Sequence, residues 1–147
     1  MTRAKQATTI VNHPYRVMKI SVNDTNKFVV LVDPTGTDLP LIQVIEIFDI
    51  KGETPANQHR LATEVFYVLF GQGEATLDQH TIQIRSGSTL VVTSGCTHVI
   101  RNTGTTRLYC LTTMVPNEGF AELIAGGHHS QLDELDYLAL GWTRPTT

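Results

Sequence analysis

Glu64 begins an apolar segment of the chain, and a carboxylate in that position needs a partner. The six residues that follow it, 65–70, are all apolar. Burying an unpaired carboxylate is costly, so a folded chain usually compensates its charge with a cationic group or a metal ion. His59 lies five residues before Glu64 and offers an imidazole to the same region. The pair predicts either a hydrogen-bonded contact at a strand end or part of a metal site.

Strand parity indicates which further side chains can join this pair. Successive side chains on a strand alternate between its two faces. Asn57 and His59 share one parity, and residues 60–63 are long enough for a turn that brings Glu64 back opposite them. His98 begins another predicted strand directly after a glycine turn. If these segments meet inside a barrel, two histidines and one carboxylate form a reasonable set of metal ligands.

The same parity predicts the apolar surroundings of the site. If Glu64 faces inward, Phe66 and Val68 do so too, while Ile100 is in phase with the histidine that begins its strand. We expect Phe66 and Ile100 to form walls of a substrate pocket to which Asn57 also contributes. Val68 lies deeper and is expected to fill the core.

The elements that must position these residues are short strands separated by turns. Short β-rich segments at this close spacing are typical of an antiparallel sandwich or barrel, not of alternating strands and helices. The predicted strands cover residues 15–21, 27–32, 41–48, 64–70, 74–77, 81–84, 89–92, 98–102 and 107–114.

Helical patterns are confined to the tail of the chain. Asn117 is a candidate cap for a short helix that ends at Gly126. A second helix is predicted from about Ser130 to Gly141. Its predicted apolar face contains Leu132, Leu135, Leu138 and Ala139. We expect both helices to cover an open end or a face of the barrel.

Composition and length indicate one globular domain over residues 1–147, with its strand core at about 40–115 and its helical tail at about 117–141. The net charge is −3 and no basic cluster occurs, which argues against nucleic-acid and membrane partners. The N-terminal segment lacks the apolar core of a signal peptide, and no apolar run is long enough to span a membrane. The two cysteines, Cys96 and Cys110, match no zinc motif and predict free thiols in a cytoplasmic protein.

Two motifs in the strand-rich region resemble those of the cupin family. The first family motif, G-x5-H-x-H-x(3,4)-E-x6-G, is matched in register by His59, Glu64 and Gly71. The second, G-x5-P-x-G-x2-H-x3-N, is matched by four residues at every spacing: Gly87, Gly95, His98 and Asn102. The resemblance covers roughly residues 40–115. It implies an all-β fold, an antiparallel double-stranded β-helix (a small jelly-roll barrel) with short C-terminal helices.

The resemblance also implies a metal site, with one departure among its ligands. Three residues correspond to family ligands of one divalent metal ion: His59, Glu64 and His98. Iron, manganese, nickel and zinc all suit such donors. Asn57 stands where the family has its first histidine, so it is either a weak oxygen donor or a group that holds water or substrate. Thr93 replaces the motif proline, and Gly52 lies one residue closer to the motif than the pattern asks.

Two kinds of function agree with this resemblance. One is a metal-dependent enzyme, an oxygenase (such as a dioxygenase) or an isomerase or lyase, in which the metal polarises or ligates an oxygen of a small organic substrate. The alternative is a non-catalytic small-molecule binder or sensor that uses the same cavity. No acid or base beyond the ligands is evident in the sequence, which favours the alternative. The fold does not decide between them, because one fold hosts many chemistries.

The outward face of the strand at 64–70 predicts how the barrel is covered. Val65, Tyr67 and Leu69 make that face apolar as well. A strand that is apolar on both faces is covered by another sheet, by the tail helices or by a second subunit. Small cupins are often dimers, so the resemblance favours a homodimer.

Overall fold

A computed structural model describes residues 12–146, which form short antiparallel strands followed by a largely helical tail. In chain order the elements are β1 (Arg16–Lys19), β2 (Asn26–Val32), β3 (Ile42–Phe48), β4 (Thr63–Phe70), β5 (Gln72–Leu77), β6 (His80–Arg85), β7 (Thr89–Val92), β8 (His98–Asn102), β9 (Leu108–Val115), α1 (Phe120–Ala125), β10 (His128–His129) and α2 (Glu134–Leu140). The predicted strands are all present, with ends that shift by two residues at most. The predicted fold class is confirmed.

Two sheets face each other and enclose the core. The larger sheet has the strand order β10-β1-β2-β3-β9-β4-β7, and the smaller one has the order β6-β5-β8. Every pairing between these strands is antiparallel. Inward side chains of both sheets form one apolar cluster, which includes Phe48, Phe66, Val68, Ile100, Leu108 and Cys110. The site strands β4 and β8 therefore approach each other from opposite sheets.

The two helices cover different parts of the barrel. Ala121 and Ile124 of α1 pack against inward side chains of β1, β2, β3 and β9, so this helix closes one end of the barrel. Ala139 and Leu140 of α2, with Trp142 after it, pack against the outward face of the larger sheet. Neither helix, nor any other within residues 12–146, is long and apolar enough to cross a membrane.

The predicted apolar face of the second helix is right for Leu132 and Ala139, which pack against the sheet, and wrong for Leu135 and Leu138. Leu135 is 63% exposed and Leu138 is 79% exposed, whereas Asp136 is completely buried. The helix begins at Glu134 after the N-cap Asp133, so the predicted face member Leu132 precedes it. The buried face is determined by polar contacts of Asp136, which the apolar pattern does not reveal.

Asp136 ties α2 to the sheet through three side chains. Its carboxylate accepts a 2.8 Å hydrogen bond from the Tyr109 hydroxyl and a 3.0 Å hydrogen bond from Arg107. Lys27 of β2 donates to the second oxygen. Burial, together with this hydrogen bond to Asp136, raises the pKa of Tyr109. The buried carboxylate of Asp136, compensated by these three partners, therefore holds the helix against the sheet.

Several motif residues that are not candidate ligands have structural roles. Gly71 has a φ of +98°, and a Cβ added there would lie 2.8 Å from the Arg107 carbonyl oxygen. The Asn102 side-chain amide donates hydrogen bonds to carbonyl oxygens of Phe48, Asp49 and Thr106. These residues hold turns of the barrel and do not contribute to its site.

Replacing Asp136 with Ala is expected to lower the free energy of unfolding by about 3 kcal/mol, because two cations and a hydroxyl lose a buried acceptor. Chemical denaturation measures the change. The matched control is Glu134→Ala, whose carboxylate is 87% exposed and whose loss should change the free energy by less than about 0.5 kcal/mol. Equal effects of the two substitutions would contradict this role of Asp136.

Candidate metal centre

The three predicted ligands meet at one end of the barrel. His59 lies in the loop before β4, Glu64 is the second residue of β4, and His98 is the first residue of β8. All three are buried, and one ligand atom from each lies within 4.8 Å of the others. The Nε2 atoms of both histidines are 3.1 Å from Oε1 of Glu64. The structure thus brings together the carboxylate and the two imidazoles that parity predicts.

The orientation of His98 leaves its Nε2 lone pair facing the carboxylate. Its Nδ1 lies 3.1 Å from the carbonyl oxygen of Cys96, and a carbonyl only accepts, so Nδ1 carries the hydrogen. In the neutral ring Nε2 is then an acceptor, 3.1 Å from Oε1 of Glu64. Two acceptors at this distance repel each other unless a proton or a metal ion lies between them. A backbone carbonyl that fixes the tautomer is a common support for metal-binding histidines.

Glu118 positions the loop that carries His59. Its carboxylate accepts hydrogen bonds from the backbone N–H groups of Arg60, Leu61 and Ala62. Oε2 of Glu118 also lies 3.8 Å from Nδ1 of His59. These backbone hydrogen bonds, working against partial burial, lower the pKa of Glu118. Sequence reasoning missed this residue, because no motif links it to a loop 56 to 58 residues earlier.

The protonation of the site follows from its hydrogen bonds. Burial alone raises the pKa of Glu64, but the hydrogen bonds that it accepts from His59 and His98, when a proton lies between the atoms, outweigh burial and bring that pKa below its ordinary value. The hydrogen bond to Glu64 raises the pKa of His59, although burial opposes this change. The carboxylate is therefore ionised, and it attracts positive charge.

Asn57 lies at the edge of the site and not among the three converging groups. Its backbone forms an isolated antiparallel bridge with His98. The side-chain oxygen accepts a 2.9 Å hydrogen bond from the backbone N–H of Gln58, and the residue is exposed. Asn57 nevertheless lines the cavity beside the ligands.

A cavity of about 240 Å³ opens beside Glu64 and His98. Phe66 lines it, as the parity argument expects, whereas Ile100 is completely buried in the core cluster and does not line it. Further apolar lining comes from α1, from β2 and from the residue that follows β1: Phe120, Leu123, Phe28 and Ile20.

Glu46 is a second buried carboxyl in this cavity, and sequence reasoning missed it. It lies on β3 with the inward parity of Val44 and Phe48, and it is 4% exposed. Oε2 accepts a 2.7 Å hydrogen bond from the Asn26 side chain. Burial and the nearby charge of Glu64 raise the pKa of Glu46 to about 8, although the Asn26 hydrogen bond opposes them. The sequence contained a signal for this residue, because Glu46 lies within a Val/Ile-rich strand in the same way that Glu64 precedes an apolar one.

The barrel and its His-Glu-His centre define the class of this protein. Residues 44–114 match the family model described as the cupin domain. Residues 44–114 therefore form a cupin domain.

Comparisons with individual proteins agree with this assignment. An uncharacterized protein of Methanocaldococcus jannaschii is 29% identical over 70 residues, which are 48% of this chain and 56% of that protein, so the chain spans about half the length of this curated relative. A predicted oxalate decarboxylase from Thermotoga maritima superposes with a TM-score of 0.66 at 19% identity, covering 74% of this chain and 99% of that one. A putative sugar phosphate isomerase from Acidithiobacillus ferrooxidans superposes with a TM-score of 0.54 at 26% identity, covering 60% of this chain and 59% of that one.

Occupancy of the centre by a metal ion is expected to fall as the pH is lowered through the histidine range. Protons and metal ions compete for the imidazole nitrogens. Because the pKa of His59 is raised, protons should compete at a higher pH than at an ordinary histidine, whose pKa is about 6.5. Elemental analysis after dialysis at one fixed metal concentration, from about pH 8 to about pH 5, measures the occupancy. Constant occupancy over this range would show that His59 is not a ligand.

Proposed function

We propose that this cupin binds one divalent metal ion through His59, Glu64 and His98 and catalyses an oxygenase, isomerase or lyase reaction of a small organic molecule. The observation that supports it is the approach of both Nε2 atoms to 3.1 Å from Oε1 of Glu64. For His98 this places a lone pair against a carboxylate, an arrangement that a cation between the two atoms would stabilise. Imidazole and carboxylate donors suit iron, manganese, nickel and zinc.

A metal ion in this centre would supply a Lewis acid that ligates or polarises a substrate oxygen through an open coordination position. The residues of the chain supply the remaining functions. Phe28, Phe66 and Phe120 give the cavity apolar walls that exclude water. Glu46 offers a carboxyl whose pKa of about 8 permits proton exchange near neutral pH. The acid or base that sequence reasoning did not find is therefore available in the cavity, which favours an enzyme.

A non-catalytic binder or sensor is the second candidate. It is favoured by Asn57, which leaves three protein ligands where the family motif has four. Oxygen uptake and product analysis of the metal-loaded protein with a panel of small organic molecules separates the two functions. Oxalate and sugar phosphates belong in that panel, because two of the structural relatives are described by such substrates. Tight binding without turnover throughout the panel would favour the binder.

Replacing His98 with Ala is expected to remove most of the bound metal, because two protein ligands remain. The variant should also lose the stabilisation that a ligand of the native state confers, about 2.7 kcal/mol at a metal concentration 100 times Kd. Elemental analysis and thermal unfolding with and without metal measure these effects. The control is His80→Ala at an exposed position. Equal metal content in the His98 variant and the parent would place the metal elsewhere.

Replacing Asn57 with His tests the same site in the opposite direction. The substitution restores the fourth ligand of the family motif next to the backbone bridge with His98. Metal affinity is expected to increase, as measured by competition with a chromogenic chelator. A weaker affinity would show that the loop at Asn57 does not direct its side chain to the metal.

We expect the protein to act in the cytoplasm as a homodimer, with contact through the outward face of β4 and β7. The tail covers one part of this face, since Ala139, Leu140 and Trp142 pack against the same buried cluster as Leu69. Tyr67 remains 42% exposed and Val91 remains 55% exposed. Val91 lies directly opposite the outward-facing Val65 in the pairing of β4 with β7. An apolar sheet face of this kind is typical of a subunit interface.

Light scattering is expected to give twice the chain mass of 16.3 kDa, and Val91→Glu is expected to give a monomer. Leu138→Glu, at a helix position that is 79% exposed, is the control and should stay dimeric. A monomeric parent would contradict the dimer. Loss of the dimer in the Leu138 variant alone would place the interface on α2.

A further inference from the structure

The cavity has an unusual balance of charged side chains. Four acidic residues line it, at its mouth and in its depth: Asp24, Glu46, Glu53 and Glu64. Among the described residues, no lysine or arginine lines it. An anionic group of a ligand would therefore find no cationic side chain here. The proposed metal ion is the only positive charge available to it.

Among the acids that line the cavity, Glu46 is the one buried residue that this metal ion would not ligate. It is 4% exposed, and its Oε2 is held by the Asn26 amide at 2.7 Å. Its Oε1 makes no hydrogen bond to any residue in the described part of the chain, and it is not among the buried unpartnered atoms there. Since Glu46 lines the cavity, Oε1 is available to a ligand.

Glu46 and the metal centre lie on different strands of the cavity wall. In the larger sheet β9 separates β3, which carries Glu46, from β4, which carries Glu64. Phe28 is the direct cross-strand partner of Glu46, and Phe66 follows Glu64 on the same face of β4. The cavity thus combines two separate polar positions with aromatic walls, which fits a ligand with two polar ends and an apolar middle.

We propose that Glu46 determines ligand specificity: it accepts a hydrogen bond from a hydroxyl, amide or ammonium group at one end of a small ligand whose other end carries the metal-binding oxygen. This inference rests on the proposed function for the metal-bound end. Glu46 accepts such a bond through Oε1 in its ionised form, which is the main form above its pKa of about 8. A second anionic group, such as a phosphate or a second carboxylate, is disfavoured, because like charges in an enclosed site repel each other strongly.

A series of five-carbon ligands tests this inference on the zinc-loaded protein. 5-Aminopentanoate, 5-hydroxypentanoate and glutarate share one carboxylate for the metal and differ only in the opposite end group. Titration calorimetry at about pH 9, above the Glu46 pKa of about 8, is expected to show that the amine and the alcohol bind at least about tenfold more tightly than glutarate. Glutarate binding as tightly as the other two would overturn the proposal, as would the absence of binding by all three.

The Glu46→Gln variant tests whether Glu46 causes the preference among end groups. Glutamine retains the size and an accepting oxygen but lacks the charge, so the preference for the amine over glutarate should fall about tenfold while zinc content stays unchanged. The control Glu134→Gln removes the same charge from a side chain that is 87% exposed and should leave the preference unchanged. An unchanged preference in the Glu46 variant would overturn its role.

Zinc content separates failure of this inference from failure of the proposed function. A parent protein that binds no zinc contradicts the metal centre itself. The end-group preference is then measured on the metal-free protein with 5-amino-1-pentanol and 5-hydroxypentanoate, which share a hydroxyl. Tighter binding of the amine, reduced by Glu46→Gln, would support the role of Glu46, and tighter binding of the carboxylate would overturn it.

Discussion

The carboxylate of Glu64 must be compensated inside the barrel, and much of the surrounding structure serves that requirement. His59 and His98 come from a loop and from the opposite sheet, and each places Nε2 3.1 Å from the same oxygen. The Cys96 carbonyl orients one ring, and the Glu118 carboxylate holds the loop of the other. A charge that an apolar strand could not tolerate thus becomes the centre of a preorganised site.

Buried and partly buried acids also connect the tail to the barrel. Glu118, just before α1, accepts three backbone hydrogen bonds from the loop at residues 60–62. Asp136 of α2 joins side chains from β2 and β9 and the loop between β8 and β9. In both cases, the acid replaces the solvation that its partners lose on folding. The tail therefore contributes to the site in two ways: α1 closes the barrel end and lines the cavity with Phe120 and Leu123, and Glu118 fixes the loop of His59.

Much of the fold and part of the site were predictable, for a common reason. Alternation along a strand is a local property, so the strands and the inward positions of Glu64, Phe66 and His98 follow from the chain itself. Glu46 obeys the same alternation. A charged residue within an apolar strand is a signal for a buried polar site, although the sequence analysis did not use it. Ile100 shows the limit of this reasoning. Parity predicts that its side chain faces the interior of the barrel, but it does not say whether the side chain lies in the core or lines the cavity. The structure buries it in the core.

The sequence by itself determined the class of fold, the strand periodicity and the three candidate ligands, because strand parity and motif spacing act over a few residues. Only the tertiary structure decided which distant groups support them. Glu118 reaches the His59 loop, Glu46 enters the cavity beside Glu64, and Asp136 turns α2 so that Leu135 and Leu138 face solvent. These contacts depend on the order of strands in the sheet and on barrel closure, which bring together residues separated by up to 109 positions in the chain.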